Sequence, residues 1–271
     1  MSKILFSDLD GTLLCDDKSI SSANRKAVFE LIEQGHYFVI CTGRPVASGI
    51  IVAKQLGFTS PGCYMVCFNG GILYDCASDR VLKEESLDMA DVIHLFENAK
   101  KAGIHIQTYN DTDILTLAHT KELDYYRERS NMSYKIVPNL IDGLDKNPQK
   151  CLLCALDDKE KLERFQKENA IWTEQSMSSF FSCEEYLEYV PKGIDKGSGV
   201  RNLVSLLGIA PEDVYAIGDE RNDIPMLQQA HIGIAMANSH REVFPFADYV
   251  TQNDNNHDGV AEGIYKFILD K

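Results

Sequence analysis

The start of the chain alternates short apolar segments with helical ones, and this alternation constrains the fold more than any other feature. Residues 3–7, 37–41 and 64–68 have the apolar character of buried β-strands. Between the first two strands, a helix can begin at a serine cap near residue 21 and end at Gly35. Strands and helices in this order predict a βαβαβ unit, which forms a parallel sheet covered by helices.

The middle of the chain has a different pattern. Residues 85–185 contain further strand and helix segments, but no glycine-marked strand end that is followed by a helix cap. The first pattern returns with a helix over residues 196–207. We therefore expect an α/β protein with a Rossmann-like parallel-sheet core (residues 1–84 and 186–271) that has helices on both faces. An α/β domain is inserted in that core.

Composition narrows the range of functions. The 271 residues are 44% hydrophobic, enough for a sizeable core, and the formal net charge is −14. Such an acidic chain is not expected to bind nucleic acid or an anionic membrane in general, so we expect a small-molecule partner. No apolar run approaches the roughly 18 residues of a membrane span, and no leader-like segment opens the sequence. The expected location is the cytoplasm.

The eight cysteines are expected to be free thiols. Most of them lie in apolar segments such as YFVIC and YMVCF, and a chain of this size without a leader does not need disulfides. Cys151 and Cys154 have the spacing of a metal or redox pair. Because an offset of three along a strand directs the two sulfurs to opposite faces, we do not expect zinc there.

Two carboxylates follow the first strand, in the segment FSDLDGTLL. Asp8 and Asp10 fall at the carboxyl end of that strand, where parallel α/β sheets bind ligands, and their spacing can turn both to one side. From this segment alone, a solvated turn is an equally good interpretation. A calcium loop is not, because Leu13 and Ser19 occupy the positions that need glycine and glutamate.

Three further stretches place polar groups at strand ends or helix starts. Thr42, Gly43 and Arg44 supply a hydroxyl, a flexible turn and a fork of donors suited to phosphate. Lys196 lies at a helix start, where backbone N–H groups favour anions. An ordinary cap or a solvated side chain also explains the stretch at residues 42–44 and the lysine at position 196. The acidic stretch GDERND, residues 218–223, favours a metal site more strongly, because crowded carboxylates need a compensating cation.

Together these stretches resemble the four signature motifs of the haloacid dehalogenase-like hydrolase superfamily. DLDGT, CTGR, DKG and GDERND occur in the family's order, and the resemblance extends over nearly the whole chain. The insertion, the NGG after the third strand, and the later IAMANS and DGVAEGI are similar to the Cof-like sugar-phosphatase branch. Glu220 departs from the pattern, since relatives often have a small residue there, but none of the catalytic groups is missing.

The resemblance implies a phosphatase that hydrolyses phosphate monoesters through an aspartyl-phosphate. Asp8 would be the nucleophile, and Asp10 would be first the general acid and then the general base. The residues that would bind the phosphoryl group are Thr42, Gly43, Arg44, Lys196 and Asn222.

The resemblance also implies Mg²⁺, which would lower the repulsion between the nucleophile and the phosphoryl group. Its protein ligands would be the carboxylates of Asp8 and Asp219 and the backbone carbonyl of Asp10. Asp223 would act on the metal through a ligand or a water molecule.

The inserted domain, residues 85–185, resembles the family's large α/β cap and implies small phosphorylated metabolites as substrates. A lid would exclude bulk water and macromolecular phosphoesters. His119, Arg127 and Arg129 are polar candidates for contacting the leaving group, although solvated surface explains each of them better. The sequence leaves the physiological substrate and the oligomeric state open.

Two other functions use similar motifs. A phosphomutase acting on phosphosugars is the nearer alternative. A phosphate-accepting receiver domain is the more distant one, because such domains are shorter and lack an inserted cap. They also lack an acid two residues after the phosphorylated aspartate.

Overall fold

The computed structural model of the protein describes residues 2–58, 60–130 and 132–269. The strands among these residues are β1 (Ile4–Ser7), β2 (Tyr37–Cys41), β3 (Cys63–Cys67), β4 (Ile72–Asp75), β5 (Arg80–Glu84), β6 (His105–Tyr109), β7 (Asp113–Thr116), β8 (Ser133–Ile136), β9 (Cys151–Cys154), β10 (Met177–Cys183), β11 (Tyr186–Pro191), β12 (Val214–Gly218), β13 (Ile232–Ala235) and β14 (Tyr249–Val250). The α-helices are α1 (Ser22–Glu33), α2 (Val46–Gln55), α3 (Met89–Ala102), α4 (Lys121–Ser130), α5 (Lys159–Ser176), α6 (Lys196–Leu207), α7 (Ile224–Gln229) and α8 (Gly259–Phe267).

The chain divides into two compact units. The first lies within residues 1–43, 49–83 and 195–271, and the second comprises residues 44–48 and 84–194. Each unit has its own sheet, so the two are described separately.

The first unit is built on an eight-stranded sheet in the order β14-β13-β12-β1-β2-β3-β4-β5. The pairs from β14 to β3 are parallel, whereas β3 and β4 are antiparallel. All four residues of β1 are buried, which explains why its first three residues are all apolar. The predicted parallel sheet flanked by helices is confirmed.

Strand order determines where the ends of the central strands meet. From β1 the chain moves outward in one direction through β2 and β3, and later in the other direction from β12 to β14. Ser7 is in register with Ile217 of β12 and with Ile40 of β2, so these three strands end side by side. Such a reversal of strand order creates a crevice at the carboxyl ends of the strands.

The helices of the first unit begin where the sequence provides caps. The Ser21 hydroxyl accepts from the Asn24 N–H at 3.0 Å before α1, and Gly35 follows α1 with a left-handed φ of +80°. Asp195 caps α6, and its carboxylate accepts from the Ser198 N–H at 2.6 Å. The predicted bounds of α6 agree with the structure, and its cap places Lys196 in the first helical turn.

The second unit contains a six-stranded sheet in the order β10-β11-β9-β6-β7-β8. Its pairs are antiparallel except for β7 with β8. Leu95 of α3 and Phe165 of α5 share a buried apolar cluster with Leu153 of β9. Because β11 pairs with β9 and β10, this unit extends to residue 194, beyond the boundary at residue 185 expected from the sequence.

All eight cysteines lie among the described residues and are free thiols, as predicted. Cys151 joins the apolar cluster that α3 and α5 cover, and burial raises the pKa of its thiol to about 12. Among the described residues, we find no helix with the length and apolar character needed to cross a membrane.

The turn between β3 and β4 packs closely against the start of α6. Gly70 has a φ of +107°, and a β-carbon there would overlap the carbonyl oxygen of Asp195 at the start of α6. Gly35 also has a positive φ, +80°, but a β-carbon there would meet nothing within 4 Å. A substitution at Gly35 therefore measures backbone strain alone, whereas the same substitution at Gly70 adds steric overlap.

We expect Gly70→Ala to lower the free energy of unfolding by about 2 kcal/mol more than Gly35→Ala, because a forced methyl group costs about 1–3 kcal/mol. Both substitutions also force alanine into a left-handed conformation, at about 1–2 kcal/mol each. Urea unfolding followed by circular dichroism measures the two losses. Equal losses would contradict the close contact with α6.

Candidate active site

Four residues predicted from separate motifs converge at the carboxyl ends of β1, β2 and β12. Asp8 follows β1, Thr42 follows β2, and Asp219 follows β12. Lys196 reaches the same place from the first turn of α6. The strand register therefore brings together side chains that are as far apart in sequence as residues 8 and 219.

Lys196 lies between two carboxylates. Its side chain is 1% exposed, and Nζ is 2.5 Å from Oδ1 of Asp8 and 2.5 Å from Oδ1 of Asp223. A lysine is tolerated in such a buried position only when it is closely paired, because the loss of hydration is large. Burial opposes the charged form of Lys196, but the charges of Asp223 and Asp8 outweigh it and raise the lysine pKa well above its ordinary value. Lys196 thus remains a cation.

Asp223 fixes the acidic loop that follows β12. It is fully buried, and its Oδ2 accepts from the backbone N–H groups of Asp219 and Glu220, each at 3.0 Å. Its Oδ1 accepts from Lys196. With three donors around it, Asp223 serves to hold Asp219 and Lys196 in place.

Asp219 is held from the other side by the loop after β1. The Thr12 hydroxyl donates to Oδ1 of Asp219 at 2.6 Å. Gly11 has a φ of +80°, and a β-carbon there would overlap the Asp219 carboxylate, so only glycine fits this turn. The glycine and threonine of the DLDGT motif therefore serve to position the acid after β12. The sequence did not identify Thr12 as part of the site, although the motif contains it.

The three carboxylates lie close enough to repel one another. Oxygen atoms of Asp8, Asp219 and Asp223 all lie within 4.8 Å of one another. Burial raises the pKa of Asp8 to about 7, the charge of Lys196 opposes this rise, and the charge of Asp223 adds to it. Burial, together with the charges of Asp8 and Asp223, raises the pKa of Asp219 well above its usual range. One lysine does not neutralise three acids.

This donor set fits a hard divalent cation. Carboxylate oxygens are the ligands that Mg²⁺ and Ca²⁺ take, and the excess negative charge favours a cation. Because Asp223 already accepts from three donors, the carboxylates of Asp8 and Asp219 are the better placed ligands.

Asp10 lies outside the cluster of three acids. Its Oδ1 accepts from Nζ of Lys18 at 2.8 Å, and the two side chains are 42% and 47% exposed. The sequence did not point to Lys18, whose contact with Asp10 depends on how the intervening loop folds.

The expected phosphate-binding residues have different surroundings. Thr42 is buried, its N–H donates to the carbonyl of Val66 at 2.8 Å, and its carbonyl accepts from Asn69. Gly43 faces the Asn69 side chain, and Nδ2 of Asn222 donates to Oδ1 of Asn69 at 3.1 Å. Asn69 therefore connects the second and fourth motifs. The NGG sequence was the available signal for it.

Arg44 belongs to the second unit. Its guanidinium donates to the carbonyl of Arg129 at 3.4 Å, and its role in binding phosphate stays a prediction. The other polar candidates of that unit have surface contacts. His119 pairs with Asp124 at 2.9 Å, and Arg127 and Arg129 lie over the rings of Tyr134 and Tyr125, respectively.

Glu220 begins the short 3₁₀ turn over Arg221–Asp223. Its carboxylate accepts from the Arg221 N–H at 3.3 Å, and burial raises its pKa. The unusual residue of the acidic motif thus caps a turn of the loop.

We expect Asp8→Asn to become more stable relative to wild type as pH rises from about 4 to about 7. The pKa of Asp8 is raised from 3.8 to about 7 in the folded protein, so the folded state binds more protons than the unfolded state in this window. The Asp8 carboxyl group therefore lowers the free energy of unfolding of wild type as pH rises. Asparagine at position 8 does not titrate and makes no such contribution. Urea unfolding in a chelator measures the difference, with Glu33→Gln, at an exposed acid that ends α1, as a control. A difference that does not vary with pH would contradict the buried, metal-free carboxylate.

Comparisons with known proteins agree with this geometry. Residues 5–264 match the family model for haloacid dehalogenase-like hydrolases. A crystal structure of a haloacid dehalogenase-like hydrolase from Bacteroides thetaiotaomicron is 32% identical, with a TM-score of 0.90 over 98% of this chain and 99% of that one. A Bacillus subtilis relative, 5-amino-6-(5-phospho-D-ribitylamino)uracil phosphatase YcsE, is 29% identical over 98% of this chain and 96% of its own length. The pyridoxal phosphate phosphatase YbhA of Escherichia coli is 26% identical over 99% of both chains. The chain therefore belongs to the haloacid dehalogenase-like hydrolases, and its phosphatase relatives indicate a phosphoric monoester hydrolase.

Proposed function

We propose that the protein is a Mg²⁺-dependent phosphatase that hydrolyses small phosphorylated metabolites through an aspartyl-phosphate at Asp8. The observation that carries this proposal is the position of the Asp8 carboxylate, 2.5 Å from the buried Lys196 ammonium and close to Asp219. A phosphoryl group that meets the Asp8 carboxylate would lie beside the Lys196 ammonium, which can neutralise part of its negative charge. Acids with a purely structural role do not need that arrangement.

In the first step, a carboxylate oxygen of Asp8 attacks phosphorus and the bond from phosphorus to the ester oxygen breaks. The protonated carboxyl group of Asp10 gives its proton to the departing oxygen, which leaves as an alcohol. Lys196 stabilises the charge that collects on the phosphoryl oxygens, and the Thr42 hydroxyl and the Asn222 amide are the proposed donors to the remaining oxygens.

In the second step, water attacks the aspartyl-phosphate. The Asp10 carboxylate takes a proton from this water, and the bond from phosphorus to the Asp8 oxygen breaks. Inorganic phosphate leaves, Asp8 is again a carboxylate, and Asp10 is again protonated. Two carboxylates with separate roles therefore complete the cycle without any other acid or base.

The residues that would hold Mg²⁺ are Asp8 and Asp219, with the backbone carbonyl of Asp10 as a further ligand and Asp223 holding Asp219 in place. When bound, the ion supplies positive charge that lowers the repulsion between Asp8 and the phosphate ester.

The second unit is the proposed cap that selects the leaving group. The two phosphatase relatives carry the names of different substrates, a ribitylaminouracil phosphate and pyridoxal phosphate. Membership of the family therefore leaves the leaving group open. A panel of phosphorylated metabolites, assayed for released phosphate with Mg²⁺, identifies it. If an isomerised phosphosugar appears instead of free phosphate, the protein is a phosphomutase.

We expect Asp8→Asn to lose activity on p-nitrophenyl phosphate by a factor on the order of a thousand or more, because removing a nucleophile abolishes the covalent step. Asp10→Asn should lose about 10²–10⁴-fold, the usual contribution of a general acid and base. Glu33→Gln, at an exposed acid that ends α1, should match wild type. Should Asp8→Asn keep a tenth of wild-type activity, Asp8 is not the nucleophile.

Chelation should remove the activity, Mg²⁺ should restore it, and Ca²⁺ should not, since calcium binds the same oxygens in looser geometry. A second measurement does not depend on turnover. Mg²⁺ should raise the melting temperature of wild type and have much less effect on Asp219→Asn, because a bound ligand stabilises only the folded state. Full activity after exhaustive chelation would exclude this mechanism.

A further inference from the structure

The loop that joins β1 to α1 brings a lysine back to the proposed general acid. Nζ of Lys18 lies 2.8 Å from Oδ1 of Asp10. Nothing in the proposed mechanism uses this lysine, although it contacts the carboxyl group that must exchange protons in both steps.

The loop is held in a defined shape at the turn that carries Lys18. The Cys15 N–H donates to the Ser19 carbonyl and the Lys18 N–H donates to the Cys15 carbonyl, each at 2.9 Å. Lys18 itself has a left-handed φ of +66°. For a residue that is not glycine, this conformation costs about 1–2 kcal/mol. The surrounding hydrogen bonds therefore hold Lys18 in a conformation that it would not choose by itself.

A second segment of the same unit holds the loop from outside. The Asp16 carboxylate accepts from Nδ2 of Asn255 at 3.0 Å and from Nδ2 of Asn256 at 3.1 Å. Nδ2 of Asn255, which is buried, also donates to the carbonyl of Leu14 at 3.0 Å. The position of the lysine is thus determined by the loop before α8 as well as by its own turn.

A contribution to stability does not account for this arrangement. The side chains of Lys18 and Asp10 are 47% and 42% exposed, and an ion pair in such a position contributes at most about 1 kcal/mol. That is no more than the backbone conformation of Lys18 costs. Control of the Asp10 carboxyl group is the better explanation.

We propose that Lys18 is a positioning residue for Asp10. This rests on the proposed function, in which Asp10 gives a proton to the leaving oxygen and then takes one from water. By binding Oδ1, the ammonium fixes the rotation of the carboxyl group and makes Oδ2 the oxygen that carries the proton to be exchanged. Lys18 transfers no proton and does not touch the phosphoryl group.

This role predicts a dependence on the leaving group. Phenyl phosphate and p-nitrophenyl phosphate have nearly the same shape, but phenolate is the more basic leaving group and needs the proton of Asp10 more. Because kcat/KM reports the steps up to phosphoryl transfer, loss of Lys18 should affect phenyl phosphate more. A residue that only maintains the fold would affect both substrates equally.

The experiment compares Lys18→Met and Lys18→Gln with wild type on both esters. We expect kcat/KM to fall about tenfold for phenyl phosphate and less than about threefold for p-nitrophenyl phosphate, within the 10²–10⁴-fold that Asp10 as a whole contributes. Lys18→Arg keeps the charge and should restore most of the loss on phenyl phosphate. Lys26→Met removes a lysine paired with Glu30 on α1, and it should match wild type on both esters.

An Asp10→Asn background provides the sharpest control. There, Lys18→Met should cause no further loss on p-nitrophenyl phosphate, because asparagine cannot exchange the proton that Lys18 helps to position. Equal losses on the two esters, no recovery with arginine, or a further loss in the Asp10→Asn background would overturn the proposal. If Asp8→Asn keeps its activity, the proposed function fails instead. If Asp8→Asn is inactive and Lys18→Met equals wild type, this inference alone fails.

Discussion

The buried ammonium of Lys196 is the interaction that holds together the loops at the carboxyl ends of β1 and β12. It contacts Asp8 after β1 and Asp223 after β12, and it is carried by the first turn of α6. Removing these three charges from water costs several kcal/mol for each ion, and close pairing offsets that cost. Losing one member would leave its partners buried and uncompensated. Three segments that are distant in sequence are therefore fixed relative to one another by a single cation.

Small residues allow the charged loops to come so close. A β-carbon at Gly218 would lie 2.6 Å from the carboxyl carbon of Asp223, and one at Gly197 would lie 2.5 Å from the carbonyl oxygen of Pro225. Larger side chains at these positions would push the acidic loop away from the sheet and from α6. The glycines of the DKG and GDERND motifs are thus required by the distances over which Lys196 and Asp223 interact.

Much of the first unit could be predicted from sequence because its local signals agree. Its buried parallel strands are continuous apolar runs, and its helices have clear caps, as at Ser21 and Asp195. The second unit gives weaker signals. Strand β8 is short and mostly exposed, and α4 contains few apolar residues, so neither stands out from a polar loop. Helix α5 is longer than its charged first half indicates and continues past Asn169 to Ser176, because no glycine or proline in the following residues stops it.

The motifs predicted the charged residues that the structure brings together, but not the residues that orient them. Asn69 contacts Asn222 across 153 positions of the chain, and Thr12 contacts Asp219 across 207. No local pattern encodes such contacts, since they arise only when β1, β3 and β12 share one sheet. Lys18 was missed for a different reason. Its contact with Asp10 spans only eight positions. The contact depends on a left-handed backbone conformation at Lys18, which the sequence does not predict because lysine rarely adopts it.

The strand order also affects how the chain folds during synthesis. β1 pairs with β2 on one side, but its other neighbour, β12, is made only after residues 84–194 have been translated. Until then, the strand that carries Asp8 has an open edge, which is the part of a sheet most exposed to mistaken pairing. The second unit is nearly continuous in sequence and can fold as soon as it emerges. The first unit needs its last quarter of sequence, so the whole second unit has been translated before Asp8, Lys196 and Asp219 can come together.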